Sequence, residues 1–299
     1  MSPSLSPARL TKWLVSAPPM AYLLVFFLLP ALIMVLASFR YPGEFGGLAP
    51  LFSTAAGKEH GLTLETYAFF FSDFIYTEIF LKSFGVALLS TLICLLLAYP
   101  LALAIARSPK KWRDLLVLLV VLPLASNFLV RIYAWMIILG PQSALSLLLN
   151  KVLAVFGAGP VRLLFSPFAV LVGMVYVHLP FMVLPLYANL EQHDPDLLDA
   201  ARDLGAGPWT RFWRITFPLS LPGIRAGALL VFIPVLGMFA IPDILGGTGD
   251  ILVGNLIKEQ FLGTRDWPFG AALSILLTLT VLLVAALTAR LSRRGGRHA

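Results

Sequence analysis

The chain has 299 residues, of which 59% are hydrophobic and only 12% are charged. Soluble globular proteins carry about 25% charged residues, so this composition excludes a soluble enzyme and indicates a polytopic membrane protein. The formal net charge of +7 would suggest nucleic-acid binding in a soluble protein, but here the placement of Lys and Arg between apolar stretches explains it without nucleic acid.

Six stretches are apolar and long enough to cross a bilayer, whose hydrocarbon core of about 30 Å needs roughly 20 residues of helix. They lie at about residues 20–38, 83–106, 115–139, 167–188, 223–243 and 269–290. The chain is therefore predicted to be all-α, with six transmembrane helices. The first stretch follows Arg9 and Lys12, as in a signal peptide, but it is longer than the roughly 7 to 15 apolar residues of such a peptide. We interpret it as a retained anchor.

The basic residues indicate which helix ends face the cytoplasm, because short loops rich in Lys and Arg resist translocation. Most of them lie in the N-terminal tail, in the loop after the second span, in the loop at 189–222 and at the C-terminus. Both termini and the 189–222 loop are therefore predicted to be cytoplasmic. The chain then divides into a tail, first helix and outer loop (1–81), a transmembrane domain (82–291) and a basic cytoplasmic tail (292–299).

Each of the first two outer loops contains a segment with helical character. In the first, Thr63–Phe74 predicts a short helix at the membrane surface. Its apolar face would carry Tyr67, Phe70, Phe71 and Phe74. In the second, Leu145–Phe156 is apolar but too short to span, which indicates a half-inserted segment.

Three residues inside the predicted spans could carry chemistry. Arg131 is the only charge deep in an apolar run, and such a residue either reaches the headgroups or a structural partner or lines a pathway. His178 is followed by Pro180, which favours a histidine that satisfies a backbone carbonyl at a kink over a metal ligand. Cys94 is the single cysteine, so no disulfide or thiolate metal site is predicted, and we interpret it as a small buried residue.

The polar segment Asp194–Pro222 interrupts the hydrophobic spans and predicts a helix, a glycine turn and a second helix. Asp194 is a plausible N-cap, and Gly205 can take the left-handed conformation that ends a helix. The first helix would run from about 195 to 204, with Leu197, Ala201 and Leu204 on one face. Pro208 can open the second helix, in which Trp209, Phe212 and Trp213 share a face.

The same segment carries a spaced motif: Asp199-Ala200-Ala201, three residues, Gly205, nine residues, Ile215, one residue, Phe217-Pro218. It resembles the EAA loop of ABC-importer permease subunits, E-A-A-x3-G-x9-I-x-L-P, with Asp199 in place of Glu and Phe217 in place of Leu. The resemblance implies a type I permease fold and a cytoplasmic coupling helix that docks on a separate ATPase subunit. The coupling residues it implies are Asp199, Ala200, Ala201, Gly205, Ile215 and Pro218.

The fifth predicted span contains residues that break helical regularity, namely Gly223, Gly227, Pro234, Gly237 and Pro242. Broken helices are tolerated in a membrane only where they pack in protein or line an aqueous cavity. The segment that follows, Phe239–Ser274, resembles the spermidine/putrescine permease subunits. The matching residues are Asp243, Gly246, Gly247, Gly254-Asn255, Ile257-Lys258, Gln260-Phe261 and the run from Arg265 to Ala272, together with NFLVRIYAW around Arg131.

This second resemblance implies a bacterial inner-membrane importer of a small cation. It is closest to the first of two permease subunits, which would work with a second permease, ATPase subunits, an extracytoplasmic binding protein and the surrounding lipid. Carboxylates and aromatic rings can carry a cation past a low-dielectric barrier. The path candidates are Asp243, Phe239, Asp250, Glu259, Asp266, Trp267 and Arg131. Asp243 is preferred because it ends the fifth predicted span, although a helix cap or a salt bridge to Arg131 would also explain it.

Several catalytic motifs do not occur in the sequence. It has no GxxxxGK[ST] phosphate loop and no HExxH, so the chain is predicted to be a non-catalytic subunit without a metal or cofactor. One alternative keeps the permease fold with an opine, sulfate or ferric-iron cargo. Another is an ion-driven secondary transporter, which should show inverted repeats and a carboxylate near the midplane; neither is visible in this sequence.

Overall fold

The computed structural model describes the backbone of residues 7–50, 52 and 61–295 and the side chains of 15–50, 52 and 61–290. Residues 53–60 of the first outer loop and 296–299 of the predicted basic tail lie outside the described residues, as do the side chains of Arg9 and Lys12. The chain forms two compact units. One contains the residues up to Phe74 and Ile257–Thr278, and the other contains Ile75–Leu256 and the residues from Leu279 onward.

Helices make up nearly all of the regular structure, as predicted, and the described residues otherwise hold two isolated β-bridges. The α-helices are α1 (Pro7–Leu23), α2 (Leu29–Ser38), α3 (Glu65–Ser72), α4 (Phe74–Arg107), α5 (Lys110–Val121), α6 (Phe128–Ile138), α7 (Ala144–Val155), α8 (Pro167–Glu191), α9 (Asp196–Asp203), α10 (Pro208–Arg211), α11 (Phe217–Leu236), α12 (Ala240–Leu245), α13 (Val253–Leu262) and α14 (Trp267–Gly295). Two π-helical segments, Leu24–Leu28 and Phe212–Thr216, and a 3-10 turn, Leu122–Ala125, connect some of them.

Among the described residues, five helices are long and apolar enough to span a membrane. The third predicted span is not one of these five, because it consists of two shorter helices. It is bent by 91° between Lys110–Ala125 and Phe128–Ile138. Asn127 begins a new helix there, since its Oδ1 accepts the Leu129 N–H at 2.8 Å. The third predicted span, 115–139, is therefore not one continuous helix, because Pro123 and the Asn127 cap end one helix and start another.

The fifth predicted span, 223–243, also has different ends. One helical stretch runs without interruption through Pro208–Leu236, because an internal proline is tolerated in a transmembrane helix. The stretch ends at Gly237, and Asp243 lies in the separate short helix α12. The predicted helix therefore begins too late and continues too far.

The two short helices predicted in the outer loops are present, as α3 and α7. In α3, the Tyr67 ring packs on Phe39 with centroids 5.3 Å apart, and its hydroxyl donates to Ser38 Oγ at 2.8 Å. Phe70 is buried, but Phe71 and Phe74 are exposed. The predicted apolar face of four aromatic residues is thus divided between a buried side and an exposed side.

Glycines bring α8 into close contact with two neighbouring helices. A Cβ at Gly223 of α11 would lie 2.8 Å from Asn189 Cβ, and one at Gly227 would lie 3.1 Å from the Met182 carbonyl oxygen. On α8 itself, a Cβ at Gly173 would lie 2.7 Å from Leu245 Cδ1 of α12. Small residues one turn apart allow helix backbones to approach in this way, so α8 packs tightly on both α11 and α12.

We predict that Gly223→Ala lowers the thermal stability of the protein, because overfilling a close helix contact costs about 1 to 3 kcal/mol. The matched control is Gly85→Ala in α4, where an added Cβ meets nothing within 4 Å. Thermal unfolding of the detergent-purified importer measures both variants. Equal midpoints for the two would contradict the close contact between α8 and α11.

Candidate functional site

The loop at 194–222 begins with the short helix α9, which is one residue shorter at each end than predicted. Asp194 Oδ1 accepts the Asp196 N–H at 3.0 Å, so the predicted capping side chain satisfies one of the free amides of the first turn. Pro195 occupies the cap position itself. The sequence therefore located this helix correctly from its cap and its glycine stop.

Gly205 ends α9 with a φ of +78°, as predicted. Its N–H donates to the Arg202 carbonyl at 2.9 Å, and the Ala206 N–H donates to the Ala201 carbonyl, also at 2.9 Å. These two bonds form a complete Schellman motif, which satisfies carbonyls at the helix end and fixes the direction of the following chain. Only glycine adopts the left-handed conformation without cost, so Gly205 is suited to this turn.

The two sides of α9 have different environments. Leu198 lies in a cavity of about 350 Å³ that Ile215, Leu103 and Leu219 also line. On the other side, Leu197 is exposed and Leu204 is 89% exposed. Asp199 and Ala200 are exposed as well, while Ala201 is half-buried. The helix therefore rests on its own chain through Leu198 and leaves an apolar stripe uncovered.

The motif residues after the turn belong to the long helical stretch Pro208–Leu236. Ile215 is half-buried in the wall of the cavity behind α9, and Pro218 lies in the first turn of α11. Phe212 packs on Tyr99 of α4 with ring centroids 5.6 Å apart, and Tyr99 Oη lies 3.1 Å from Ser220 Oγ. These contacts hold the start of the stretch against α4.

The three aromatic residues predicted to share a face do contact one another. The Trp209 and Phe212 centroids are 6.0 Å apart, and those of Phe212 and Trp213 are 5.2 Å apart. Trp213 also lines an apolar groove with Phe212, Phe217 and part of α4, whereas Trp209 is 72% exposed.

An ion pair that the sequence did not reveal joins the ends of three helices. Arg113 Nη1 of α5 donates to Glu191 Oε1 of α8 at 2.6 Å, and its Nη2 donates to the Ala106 carbonyl of α4 at 3.0 Å. The two partners are 78 positions apart in sequence, so no local pattern could indicate the pairing.

A second polar cluster lies where the long helical stretch ends. Asp243 of α12 is exposed, between the buried Pro242 and Leu245. The Asn255 side chain of α13 donates to Asp243 Oδ1 at 2.5 Å and to the Phe239 carbonyl at 3.0 Å. Phe239 itself is 45% exposed. The structure thus brings together two of the predicted path residues, Asp243 and Phe239, within one unit.

The remaining path candidates have other surroundings. Asp250 pairs with Lys82 Nζ at 3.5 Å and accepts the Gly247 N–H at 3.0 Å, so it holds its own loop. Asp266 accepts the Phe269 N–H at 3.1 Å and caps α14. Glu259 and Trp267 are exposed and belong to the other unit.

Arg131 makes no ion pair with any described residue, and its Nε and Nη1 are buried without a hydrogen-bond partner there. The salt bridge to Asp243 considered from the sequence is therefore wrong. The salt bridge assumed that Arg131 lies at a depth similar to that of Asp243 on one continuous third span, and the 91° bend before α6 breaks that span.

His178 and Cys94 have the structural surroundings predicted for them. His178 Nδ1 lies 2.8 Å from the Met174 carbonyl oxygen, one turn earlier in α8, and donates to it. Cys94 is fully buried in α4. No group of three or more His, Cys, Asp or Glu side chains in the described part of the chain could hold a metal ion.

The fold and the loop motif define a class of protein, and comparison with known families establishes it. Residues 98–295 match the family described as binding-protein-dependent transport system inner membrane component. The chain belongs to this family and is a multi-pass inner-membrane permease subunit of an ABC importer, which performs no catalysis itself. Membership implies ATPase subunits, a second permease and a substrate-binding protein as partners.

Individual relatives of this chain indicate which kind of ABC-importer permease it resembles. The spermidine/putrescine transport system permease protein PotB of Salmonella typhimurium (strain SL1344) is 43% identical over 274 residues, which cover 91% of this chain and 90% of that protein. PotB of Escherichia coli (strain K12) is 42% identical over 274 residues, which cover 91% of this chain and 94% of that protein. A chain of a bacterial alginate ABC transporter, solved with its periplasmic protein, has a TM-score of 0.72 at 17% identity and 95% coverage of both chains. That likeness confirms the predicted permease fold.

Proposed function

We propose that this chain is the permease subunit of a polyamine importer and carries spermidine or putrescine across the inner membrane. The similarity to the PotB proteins over most of both chains supports the cargo. The observation in the structure that carries the proposal is an exposed carboxylate, Asp243, at a break between two helices. A polycation needs such a group, whereas a carboxylate at this place would repel sulfate.

We also propose that both termini and the 194–222 loop face the cytoplasm. The support is the excess of Lys and Arg in the tails and short loops on that side, which resist translocation. In this orientation α9 faces the ATPase subunits, and the exposed side chains of Leu197 and Leu204 form an apolar stripe for a groove on their surface. Burying a leucine side chain contributes roughly 1.5 to 3 kcal/mol.

We propose that ATP hydrolysis is coupled to transport through one continuous part of the chain, from α9 through the Gly205 turn into the long helical stretch. Closure of the ATPases on ATP would move α9, and the Schellman turn at Gly205 would pass that movement into Pro208–Leu236. The stretch has 29 residues, or about 44 Å at 1.5 Å per residue, which is sufficient to cross the hydrocarbon core. The displacement would reach the break at Gly237 and change access to Asp243 by a rigid-body movement.

Gly205→Leu is expected to uncouple transport from ATP hydrolysis, because a Cβ at positive φ costs about 1 to 2 kcal/mol and reorients the two helices. Uptake and substrate-stimulated ATP hydrolysis are measured on the assembled importer in proteoliposomes. The matched control is Gly207→Leu, since Gly207 has an ordinary φ of −67° and an added Cβ meets nothing within 4 Å. Normal coupling in assembled Gly205→Leu complexes would contradict the role of the turn.

For the cargo path, we propose that Asp243 and Phe239 contact the polyamine. An ammonium group can pair with the carboxylate and lie against the exposed ring, and a cation–π contact is worth about 0.5 to 2 kcal/mol. Asp250 would support the path by holding the 246–250 loop. A role for Asp266 stays a prediction. Direct roles for Glu259, Trp267 and Arg131 stay predictions.

The test of the cargo path is Asp243→Asn, which keeps the shape of the side chain and removes its charge. Spermidine uptake should fall about tenfold or more, the effect of losing an interaction of roughly 1.5 kcal/mol with a charged group, while complex assembly stays intact. The control is Glu78→Gln, which removes an exposed carboxylate from α4. Normal uptake by Asp243→Asn, or an equal loss in both variants, would reject the path role of Asp243.

A further inference from the structure

An apolar groove of about 640 Å³ lies between α4 and the start of the long helical stretch. One wall is formed by residues of α4 between Leu92 and Pro100, and the other by Phe212, Trp213 and Phe217. The lining side chains are aliphatic or aromatic, and the hydroxyl of Tyr99 among them is engaged with the Ser220 hydroxyl. The groove therefore presents hydrocarbon to its occupant.

A basic pocket of about 320 Å³ adjoins the groove at Phe212, which lines both. Its charged lining residues are Arg107 of α4, Arg211 of α10 and Asp199 of α9. Two positive charges against one negative charge leave the pocket net positive. Neither arginine forms an ion pair with any residue that the structure describes. The two guanidinium groups can therefore receive an anion.

The geometry of α4 places Arg107 at one end of the apolar groove. Arg107 comes after Leu96 and Pro100 on the same helix, and at 3.6 residues per turn it lies within roughly 20° of both around the helix axis. It lies about 10 Å beyond Pro100 along that axis. Arg107 is also the last residue of α4, so the basic pocket lies where a membrane-spanning helix ends.

An anionic phospholipid has the chemistry that this arrangement would recognise. An acyl chain suits a hydrocarbon groove within the membrane, and a phosphate suits arginines at the membrane surface. Trp213 is half exposed beside the groove, and tryptophan is enriched at the level of the headgroups. A helix of the second permease would match the apolar walls, but only an anion also neutralises the two arginines. The positive charge at the end of the groove therefore favours the lipid.

We propose that the apolar groove and the basic pocket together bind one anionic phospholipid. One acyl chain lies along α4 between Leu92 and Pro100, and the phosphate lies between Arg107 and Arg211. The lipid contacts both α4 and the π-helical segment Phe212–Thr216, and all of these residues belong to the same compact unit. A bound lipid thus fastens the start of the long helical stretch to α4.

The test is native mass spectrometry of the detergent-purified, assembled importer. It is incubated with equal amounts of phosphatidylglycerol, which is anionic, and phosphatidylcholine, which is zwitterionic, with the same acyl chains. The unmodified importer should retain phosphatidylglycerol in preference. The double variant Arg107→Gln with Arg211→Gln should lose this preference by roughly thirtyfold, because each basic residue beside an anionic lipid contributes about fivefold.

The matched control removes two other charges, by Lys111→Gln together with Arg290→Gln. Both residues are exposed and line neither the groove nor the basic pocket. The control should keep its preference for phosphatidylglycerol within about twofold, as expected of surface substitutions. An unchanged preference in the Arg107 and Arg211 variant, or an equal loss in the control, would overturn the proposal.

A groove-filling variant tests the place of the acyl chain. Leu96 lines the groove and is 74% exposed, so Leu96→Trp can fill the groove without entering the protein core. It should lower the retention of phosphatidylglycerol about tenfold or more, although both arginines are intact. Retention at the unmodified level would show that the headgroup alone is bound, and would contradict the proposed acyl-chain position.

A fluorescence measurement on the importer with both arginines in place keeps the proposal testable if the double variant fails to assemble. Bromine on the acyl chains quenches tryptophan at short range, and comparison with Trp213→Phe isolates the signal of Trp213. Brominated phosphatidylglycerol should quench Trp213 more strongly than brominated phosphatidylcholine. Equal quenching by both lipids would contradict the preference for an anion. No quenching by either lipid would show that another chain, such as the second permease, covers the groove, and would overturn the proposal.

Discussion

The close packing of α8 on its neighbours is the constraint on which the second unit depends. Gly223 and Gly227 of α11 meet backbone atoms and Cβ atoms of α8, and Gly173 of α8 receives side chains of α12. At the C-terminal end of α8, Glu191 pairs with Arg113. Because lipid supplies no hydrophobic force between helices, such close contacts are a main source of association within a membrane. α8 therefore holds both the helical stretch that follows α9 and the short helix that carries Asp243.

This packing connects the two candidate sites of the chain, which are the 194–222 loop and the break near Asp243. Helix α9 ends in a turn fixed by two hydrogen bonds, and the helical stretch after it reaches the break at Gly237 without interruption. A short π-helical segment at Phe212–Thr216 lies within the stretch, packed on α4 through Tyr99. Such segments often occur at functional sites. Packed elements with two discrete arrangements can transmit a local displacement over this distance.

Much of the fold and of the local structure of the 194–222 loop could be predicted from the sequence, because their signals are local. Hydrophobic runs located the helices, and Asp194 and Gly205 located the ends of α9. The predicted helix ends were wrong where one residue type can have two structural outcomes. Pro222 lies inside a helix, whereas Pro123 precedes a sharp bend, and the residue type alone cannot separate these outcomes. The Asn255–Asp243 and Arg113–Glu191 contacts join residues that are distant in sequence, so only the structure could reveal them.

The central claim is that the coupling helix and α11 move as one body. Distance measurement by pulsed electron paramagnetic resonance tests it most directly, with spin labels at the exposed residues Asp203 and Leu230. The single buried cysteine, Cys94, is first replaced by serine. The assembled importer is compared without nucleotide and with ATP on a hydrolysis-deficient ATPase. An unchanged distance distribution between the two labels is the predicted result. A shift on ATP binding would show that the Gly205 turn bends, and would contradict the account.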